Sequence, residues 1–313
     1  MRIVLLGATG FVGHHLLHAL SEAGHQCIVL CRYRPGCREL MLIPNLELRQ
    51  GNIHDSGFLE SQLAGADAVI NLVGILNESR GKNSTFQAAH VELVEKLIAA
   101  CRQAGVQRLM QMSALNAGKG KSKYLASKGQ AEELIQQASE LQYTIIQPSV
   151  IFGEGDSFLN RFASLLKVMP VFPLACPQAK LQPVWVGDVA QAMTEALDDP
   201  ECVGKKLVLV GPREYTLIEL VRMIACLSGL KRKIIGLPDG LSRLQGRLMD
   251  FVPGKPFSSD NYKSLQTDNV SEENALWRFG IQPRSIEGVA SGYLGGSVHQ
   301  NKLDRCREKM AGH

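Results

Sequence analysis

The sequence predicts a doubly wound parallel α/β sheet (a Rossmann-type fold) with a smaller C-terminal α/β lobe. Apolar, strand-like runs alternate with amphipathic helical stretches from the first residues onward. The runs are continuously apolar, as strands covered on both faces must be. A glycine-rich turn joins the first run to the first helical stretch, and after Pro148 the rhythm changes to Gly- and Pro-broken segments.

Residues 3–6 read as a buried strand and 11–23 as a helix. Strands are expected at 27–30, 46–49 and 68–72, then a long helix over 84–104. A strand at 108–112, a helix over 122–139 and a strand at 143–147 complete the series. Residues 1–150 therefore form a first, doubly wound domain, to which 181–200 returns with a helix at 188–197. Residues 151–180 and 201–296 are assigned to the lobe, and 297–313 to a polar, frayed tail. Thr216-Leu217-Ile218-Glu219 has the form of a capping box.

Bulk properties exclude several classes. The 313 residues are 45% hydrophobic and 20% charged, with a formal net charge of +4, too mild for a nucleic-acid partner. No run of about 18 apolar residues suggests a membrane span, and the early first strand leaves no room for a secretory leader. The eight cysteines include no Cys-x-x-Cys pair, and Cys27, Cys31 and Cys37 lack histidines at zinc spacing. Reduced thiols, no metal and a cytoplasmic location are expected, with peripheral attachment to the inner face of a membrane as a variant.

The turn Gly7-Ala8-Thr9-Gly10-Phe11-Val12-Gly13 carries the strongest functional signal. Gly7 permits the tight turn, Gly10 lets backbone N–H groups approach a pyrophosphate, and Gly13 lets the helix pack against the strand. The helix N-terminus, with Phe11 and Val12, then faces the anion. The second strand ends Ile28-Val29-Leu30-Cys31 and continues Arg32-Tyr33-Arg34. No carboxylate stands where an NAD-preferring site bonds the ribose hydroxyls, whereas Arg32 and Arg34 offer planar forks for a phosphomonoester. NADP(H) is therefore preferred and NAD(H) is the second option. The alternative is that both arginines are solvated surface charges.

Tyr124 and Lys128 are four residues apart on an expected helix and share a face. A nearby ammonium lowers a phenol's pKa, so Tyr124 could exchange a proton with a substrate oxygen while hydride moves to or from a nicotinamide. Ser113, at the end of the preceding strand, could hold the same oxygen. The bland reading is an exposed helix face with a cation near an aromatic ring.

The Gly-x-x-Gly-x-x-Gly spacing resembles the extended and atypical short-chain dehydrogenase/reductases. Gln147-Pro148-Ser149-Val150-Ile151-Phe152-Gly153 resembles the extended family's strand-end segment that lines the nicotinamide. With residues 156–162, 182–190, 256–261 and 265–270, the resemblance narrows to the branch containing the nucleotide-binding accessory subunit of respiratory complex I and its bacterial relatives. It covers about residues 1–290. The resemblance implies bound NADP(H), a link to quinone metabolism for some members, and for the accessory subunit a structural use of the nucleotide. It also implies cofactor contacts from Asn52, Ile53, Leu72, Val73, Gly74, Lys128, Pro148, Val150 and Ile151. Three residues depart from the pattern: Asn52 for a frequent Asp, His90 for a helix Asn, and Gln147 for a frequent Arg. The first bears on adenine contacts and the second on the completeness of a proton relay.

His14 and His15 are sequence neighbours that point to different faces, and His54 and His90 are single. Along 240–252, Leu241, Leu244, Leu248, Phe251 and Val252 share one helical face. Arg243 and Arg247 lie on another, with Lys231, Arg232, Lys233 and Lys255 nearby. This stretch is either a lobe helix packing over the cofactor domain or a docking surface for an acidic membrane or a respiratory-complex partner.

The function expected is an NADP(H)-dependent oxidoreductase acting on a small carbonyl or quinone-like molecule. In it Tyr124 is the acid/base, Lys128 the tuning cation and ribose anchor, and Ser113 the holder of the substrate oxygen. A non-catalytic nucleotide-binding subunit or assembly partner is the second reading, and a sugar-nucleotide epimerase or dehydratase the third.

Overall fold

The computed structural model describes residues 1–79, 81, 83–252 and 257–294. The expected tail at 297–313, and Lys255 and Pro256, lie outside the described residues. In chain order the elements are β1 (Arg2–Leu6), α1 (Phe11–Glu22), β2 (Gln26–Cys31), β3 (Leu46–Gln50), α2 (Ser56–Leu63), β4 (Ala68–Asn71) and α3 (Leu93–Ala104). There follow β5 (Arg108–Met112), α4 (Lys123–Gln137), β6 (Gln142–Pro148), β7 (Ile151–Phe152), α5 (Leu159–Val168), β8 (Val171–Leu174), β9 (Lys180–Leu181) and β10 (Val184–Trp185). The remainder are α6 (Val186–Asp198), β11 (Lys205–Leu209), β12 (Tyr215–Thr216), α7 (Leu217–Leu227), β13 (Lys233–Gly236), α8 (Asp239–Met249), α9 (Ser259–Ser264) and α10 (Ile286–Leu294).

Seven parallel strands form the main sheet in the order β11-β6-β5-β4-β1-β2-β3. The chain winds outward from β1 to β3, then returns to β4 on the other side. That reversal opens a crevice at the carboxyl ends of β1 and β4, where doubly wound sheets bind ligands. Leu16, Leu17 and Leu20 of α1 pack with Val189, Met193 and Ala196 of α6 on one face of the sheet. Leu93, Val94 and Leu97 of α3 and Ile135 of α4 fill the other. Both faces of the central strands β1, β2 and β4 are thus dry, which is why their sequences are almost continuously apolar.

The lobe has its own core, in which Phe152, Leu159 and Leu166 meet Leu217, Leu220, Val221 and Ile224. Thr216 and Glu219 close the expected capping box at the start of α7.

Three elements differ from expectation. Residues 205–209, expected in the lobe, pair in parallel with β6 and form the seventh strand. Its Lys205-Lys206 opening hides it; lysines protect a sheet edge, so the apolar run shrinks to Leu207-Val208-Leu209. The unexpected α2 has only Leu59 and Leu63 fully inward and starts where Asp55 accepts from Phe58 N–H at 2.9 Å. The long helix expected over 84–104 begins as a π-helical turn, Gln87–Glu92. Such turns recur at functional sites, and this one carries His90.

Candidate functional site

The glycine-rich turn forms an open anion cradle. Gly10 caps α1 in extended backbone with no side-chain cap, and the first helical bond is His14 N–H to Gly10 O at 3.1 Å. The N–H groups of Phe11, Val12 and Gly13 therefore have no intrahelical acceptor and, beside exposed Thr9, can turn to a ligand. Gly7 has φ +76°, and a Cβ on it would stand 2.8 Å from Val73 N. A Cβ on Gly13 would stand 2.2 Å from Ala8 O, so only glycine lets α1 approach β1 this closely.

Arg32 and Arg34 are exposed just past β2. Arg34 N–H donates to Gln50 Oε1 at 3.1 Å, which fixes the backbone and leaves both guanidinium groups facing solvent. Asn52 spends its carbonyl on His54 N–H at 3.0 Å, and Ile53 packs against the core beside α2.

At the end of β4, buried Asn71 donates to Gln111 Oε1 at 2.9 Å and accepts from Val73 N–H at 3.1 Å. These bonds shape the turn Leu72-Val73-Gly74. A Cβ on Gly74 would stand 3.3 Å from Lys128 Nζ and 3.8 Å from His90 Nε2, so the turn runs directly over both. Ile75 N–H donates to His90 Nε2 at 3.1 Å, and His90 Nδ1 lies 2.8 Å from Ser127 Oγ. Ser127 Oγ in turn donates to Tyr124 O at 2.8 Å. Because Nε2 accepts, the neutral ring carries its proton on Nδ1 and gives it to Ser127. Burial, reinforced by the Lys128 ammonium, pushes His90 down to about 3. Phe86 and His90 frame the Tyr124 ring at centroid distances of 5.9 and 5.6 Å.

Tyr124 and Lys128 share one face of α4, as their spacing predicts, but their electrostatics differ from expectation. Burial pushes the Tyr124 phenol up to about 12, with no opposing pull from Lys128. Burial also pushes Lys128 down to about 8, partly offset by the Glu132 carboxylate, and its ammonium donates to Met112 O at 3.1 Å. The expectation that Lys128 lowers the Tyr124 pKa is corrected: the cation points at a β5 carbonyl, and desolvation dominates.

Ser113, directly after β5, meets α4 at Glu132, one turn beyond Lys128. Its hydroxyl donates to Glu132 Oε1 at 2.5 Å. The same buried carboxylate accepts from Gln147 Nε2 at 2.7 Å and pairs with Lys206 Nζ at 2.7 Å. Glu132 thus ties together the carboxyl ends of β5 and β6, and also β11. Sequence reasoning singled out neither Glu132 nor Lys206. Glu132 continues the Tyr124–Lys128 spacing by one more step of four, but Lys206 sits on the strand that went unread.

Asp260 was likewise not assigned a role. Its carboxylate accepts from Lys123 N–H at 2.7 Å, Tyr124 N–H at 3.1 Å and Ser122 Oγ at 3.0 Å, so the lobe caps α4. Pro148, Val150 and Ile151 line the exit of β6. Leu115 N–H donates to Pro148 O and Val184 N–H to Val150 O, each at 2.9 Å, and Ile151 pairs with Val184. Phe11 reaches across to this exit, where a Cβ on Gly153 would stand 3.3 Å from its ring. Among the described residues no His/Cys/Asp/Glu group could hold a metal ion.

The geometry therefore gathers the glycine turn, the β4 exit, Tyr124, Lys128 and the β6 exit at one edge of the sheet. The profile of a family described as NAD(P)H-binding matches residues 7–200. The mitochondrial NADH dehydrogenase (ubiquinone) 1 alpha subcomplex subunit 9 of Mus musculus is 30% identical over 295 residues, covering 90% of this chain and 77% of that protein. A ceramide reductase of Caulobacter vibrioides is 27% identical over 251 residues, covering 79% of this chain and 77% of the relative. Among solved structures, an NADPH-dependent quinone oxidoreductase from Escherichia coli complexed with NADPH superposes with a TM-score of 0.74 at 18% identity, covering 95% of this chain and 99% of that one.

Proposed function

The chain belongs to the NAD(P)H-binding, short-chain dehydrogenase/reductase-like family of oxidoreductase type, and from that premise we propose that it is an NADP(H)-dependent reductase of a carbonyl or quinone-like substrate. The observation that carries the reading is the convergence of Tyr124, Lys128 and Gly74 beside the glycine cradle. The cradle fits a dinucleotide: its glycines leave the space and its N–H groups the donors that a pyrophosphate needs. Arg32 would hold the 2′-phosphate. Asn52 and Ile53 would flank the adenine, and Leu72, Val73, Gly74, Pro148, Val150 and Ile151 would line the nicotinamide half.

Bound NADPH would supply the hydride. Tyr124, with its phenol pushed up to about 12, stays protonated throughout the neutral range and would deliver the proton to the substrate oxygen. Lys128, cationic below about 8, would hold the ribose hydroxyls. Ser113 gives its proton to Glu132, so it would meet a carbonyl oxygen as a donor only by turning away from that carboxylate. Lys206 and Gln147 would remain to stabilise Glu132 when it does.

The second reading, a non-catalytic nucleotide-binding subunit or assembly partner of a respiratory complex, is favoured by that same Ser113–Glu132 bond and by the respiratory-chain relative. One experiment separates the two. NADPH consumption by the purified protein is followed with a panel of soluble quinones and carbonyls, alongside Tyr124→Phe and Lys128→Ala. For the reductase, Tyr124→Phe loses about 100-fold or more in turnover while NADPH affinity stays within about twofold. Lys128→Ala impairs both. Tight NADPH binding without consumption by any acceptor would favour the structural role.

A further inference from the structure

α8 is amphipathic, yet it faces the wrong way for a packing helix. Its inward side is made of small residues: Ser242, 1% exposed, donates to the backbone of Leu237 and Pro238, and Gly246 lies against Ser258 and Ser259. Its large apolar side chains stand in solvent. Leu241 is 50% exposed, Leu244 48%, Leu248 60% and, just past the helix end, Phe251 89%. A helix that merely covered a core would place leucines inward and small or polar residues outward.

The exposed charges along the middle of the stripe are cationic, and one aspartate stands at each end of α8. Arg243 and Arg247 flank it, exposed, and neither makes an ion pair or hydrogen bond among the described residues. The two aspartates at the helix ends are already engaged by the protein: Asp239 accepts from Tyr262 OH at 2.7 Å and Asp250 from Ser259 N–H at 3.0 Å. Lys231 and Lys233 are exposed on the preceding segment. Exposed Val171 and Ile235 lie on the β8/β13 pair, which Gln245 of α8 touches through Pro173 O at 3.4 Å. An apolar stripe beside two solvent-exposed arginines matches the acyl boundary and headgroups of an anionic bilayer.

We propose that α8 docks this protein peripherally on an anionic lipid surface, with Leu241, Leu244, Leu248 and Phe251 entering the headgroup boundary and Arg243 and Arg247 contacting lipid phosphates. No helix among the described residues is long and apolar enough to cross a membrane, so the contact is interfacial. A second copy of the chain is a poorer occupant. Eleven residues of helix make a footprint about 16 Å by about 10 Å, far below the roughly 800 Å² per partner of a stable dimer. α8 packs on α9, and Asp260 of α9 caps the helix carrying Tyr124. Docking through α8 therefore brings the wall of the site to the lipid surface. The inference does not depend on whether the site turns over.

Co-sedimentation with vesicles of phosphatidylcholine alone, or of phosphatidylcholine with about one-third phosphatidylglycerol, tests it at low and high salt. The expected result is binding to the anionic vesicles at low salt, weakened at least tenfold at high salt and by Arg243→Glu/Arg247→Glu. Leu244→Glu/Leu248→Glu should abolish binding, while both variants keep the wild-type melting curve and NADPH affinity. Equal binding to both vesicle types, no binding to either, or unchanged binding by the charge-reversed variant would overturn the proposal. So would concentration-dependent self-association that Leu244→Glu/Leu248→Glu removes, which would assign the stripe to a second copy.

Discussion

Arg32 stands immediately after β2 with its side chain in solvent, at the place where a carboxylate would select NAD(H). A guanidinium there gains charge-assisted bonds to a 2′-phosphate and nothing comparable from a 2′-hydroxyl. NADPH should therefore bind at least about tenfold more tightly than NADH, on the order of 1.4 kcal/mol. Titration by intrinsic fluorescence checks this, and Arg32→Ala should erase most of the difference. An unchanged preference in that variant would reassign Arg32 to the solvated surface. The placement of such residues is legible in sequence when it is local: Arg32 follows its strand directly, and Tyr124 and Lys128 are one helical turn apart. Glu132 is legible only by half. Its place on the α4 face follows from the same period, but its partners Ser113, Gln147 and Lys206 come from three different strands that only the sheet order brings together. The protonation states were not legible either, because they follow from burial: a Tyr-x-x-x-Lys spacing says that the two side chains share a face, not that Lys128 turns to Met112 O.

The π-helical turn Gln87–Glu92 is the element least readable from residue pattern, since one extra residue per turn leaves the apolar period of the long helix almost unchanged. Its consequence is the placement of His90 between the β4 exit and α4. Neutral His90 accepts from Ile75 N–H and donates to Ser127, and a second proton would break the first bond beside the Lys128 ammonium. Its folded-state pKa, about 3, lies below its ordinary value of 6.5, so in that window the unfolded chain binds the proton and the native chain does not. Stability contributed by neutral His90 is thus complete above about 6.5 and declines as pH falls toward about 3. Between pH 7 and pH 5 this one group should cost about 2 kcal/mol. Denaturant unfolding at both values checks it: His90→Asn should be less stable than wild type at pH 7 but lose about 2 kcal/mol less on acidification, the other histidines contributing equally to both proteins. Parallel losses in the two proteins would mean that His90 does not govern this acid limb. The glycine turn is the opposite case: the steric demands at Gly7 and Gly13 are written in the residues themselves, because no other side chain fits there.

At the scale of the molecule, sheet and lobe are interleaved rather than strung in series. The chain leaves the sheet after β6, builds α5 and β8 in the lobe, returns for α6 and β11, and leaves again for α7, α8 and α10. Alternation and glycine spacing made the first half of that path legible. The return of β11 was not, because behind its two opening lysines the apolar run of this edge strand is only Leu207-Val208-Leu209. Bonds that cross between the two parts converge on the site: Asp260 caps α4, Ser149 donates to Asn269, and Asn116 Nδ2 donates to Asp268 O at 2.8 Å. Neither part can open without exposing the ends of β5 and β6 that the lobe covers. A nucleotide bound at that edge should therefore stabilise both parts together. With free NADPH at about 100 times its Kd, linkage supplies about 2.7 kcal/mol to the native state. For a chain of this size that corresponds to a rise in Tm of a few degrees. Differential scanning calorimetry should show a single transition for the free protein and a single, shifted transition with NADPH. A split transition in which NADPH moves only one component would show that the lobe unfolds independently, and that the Asp260 and Asn269 contacts are too weak to couple it to the nucleotide site.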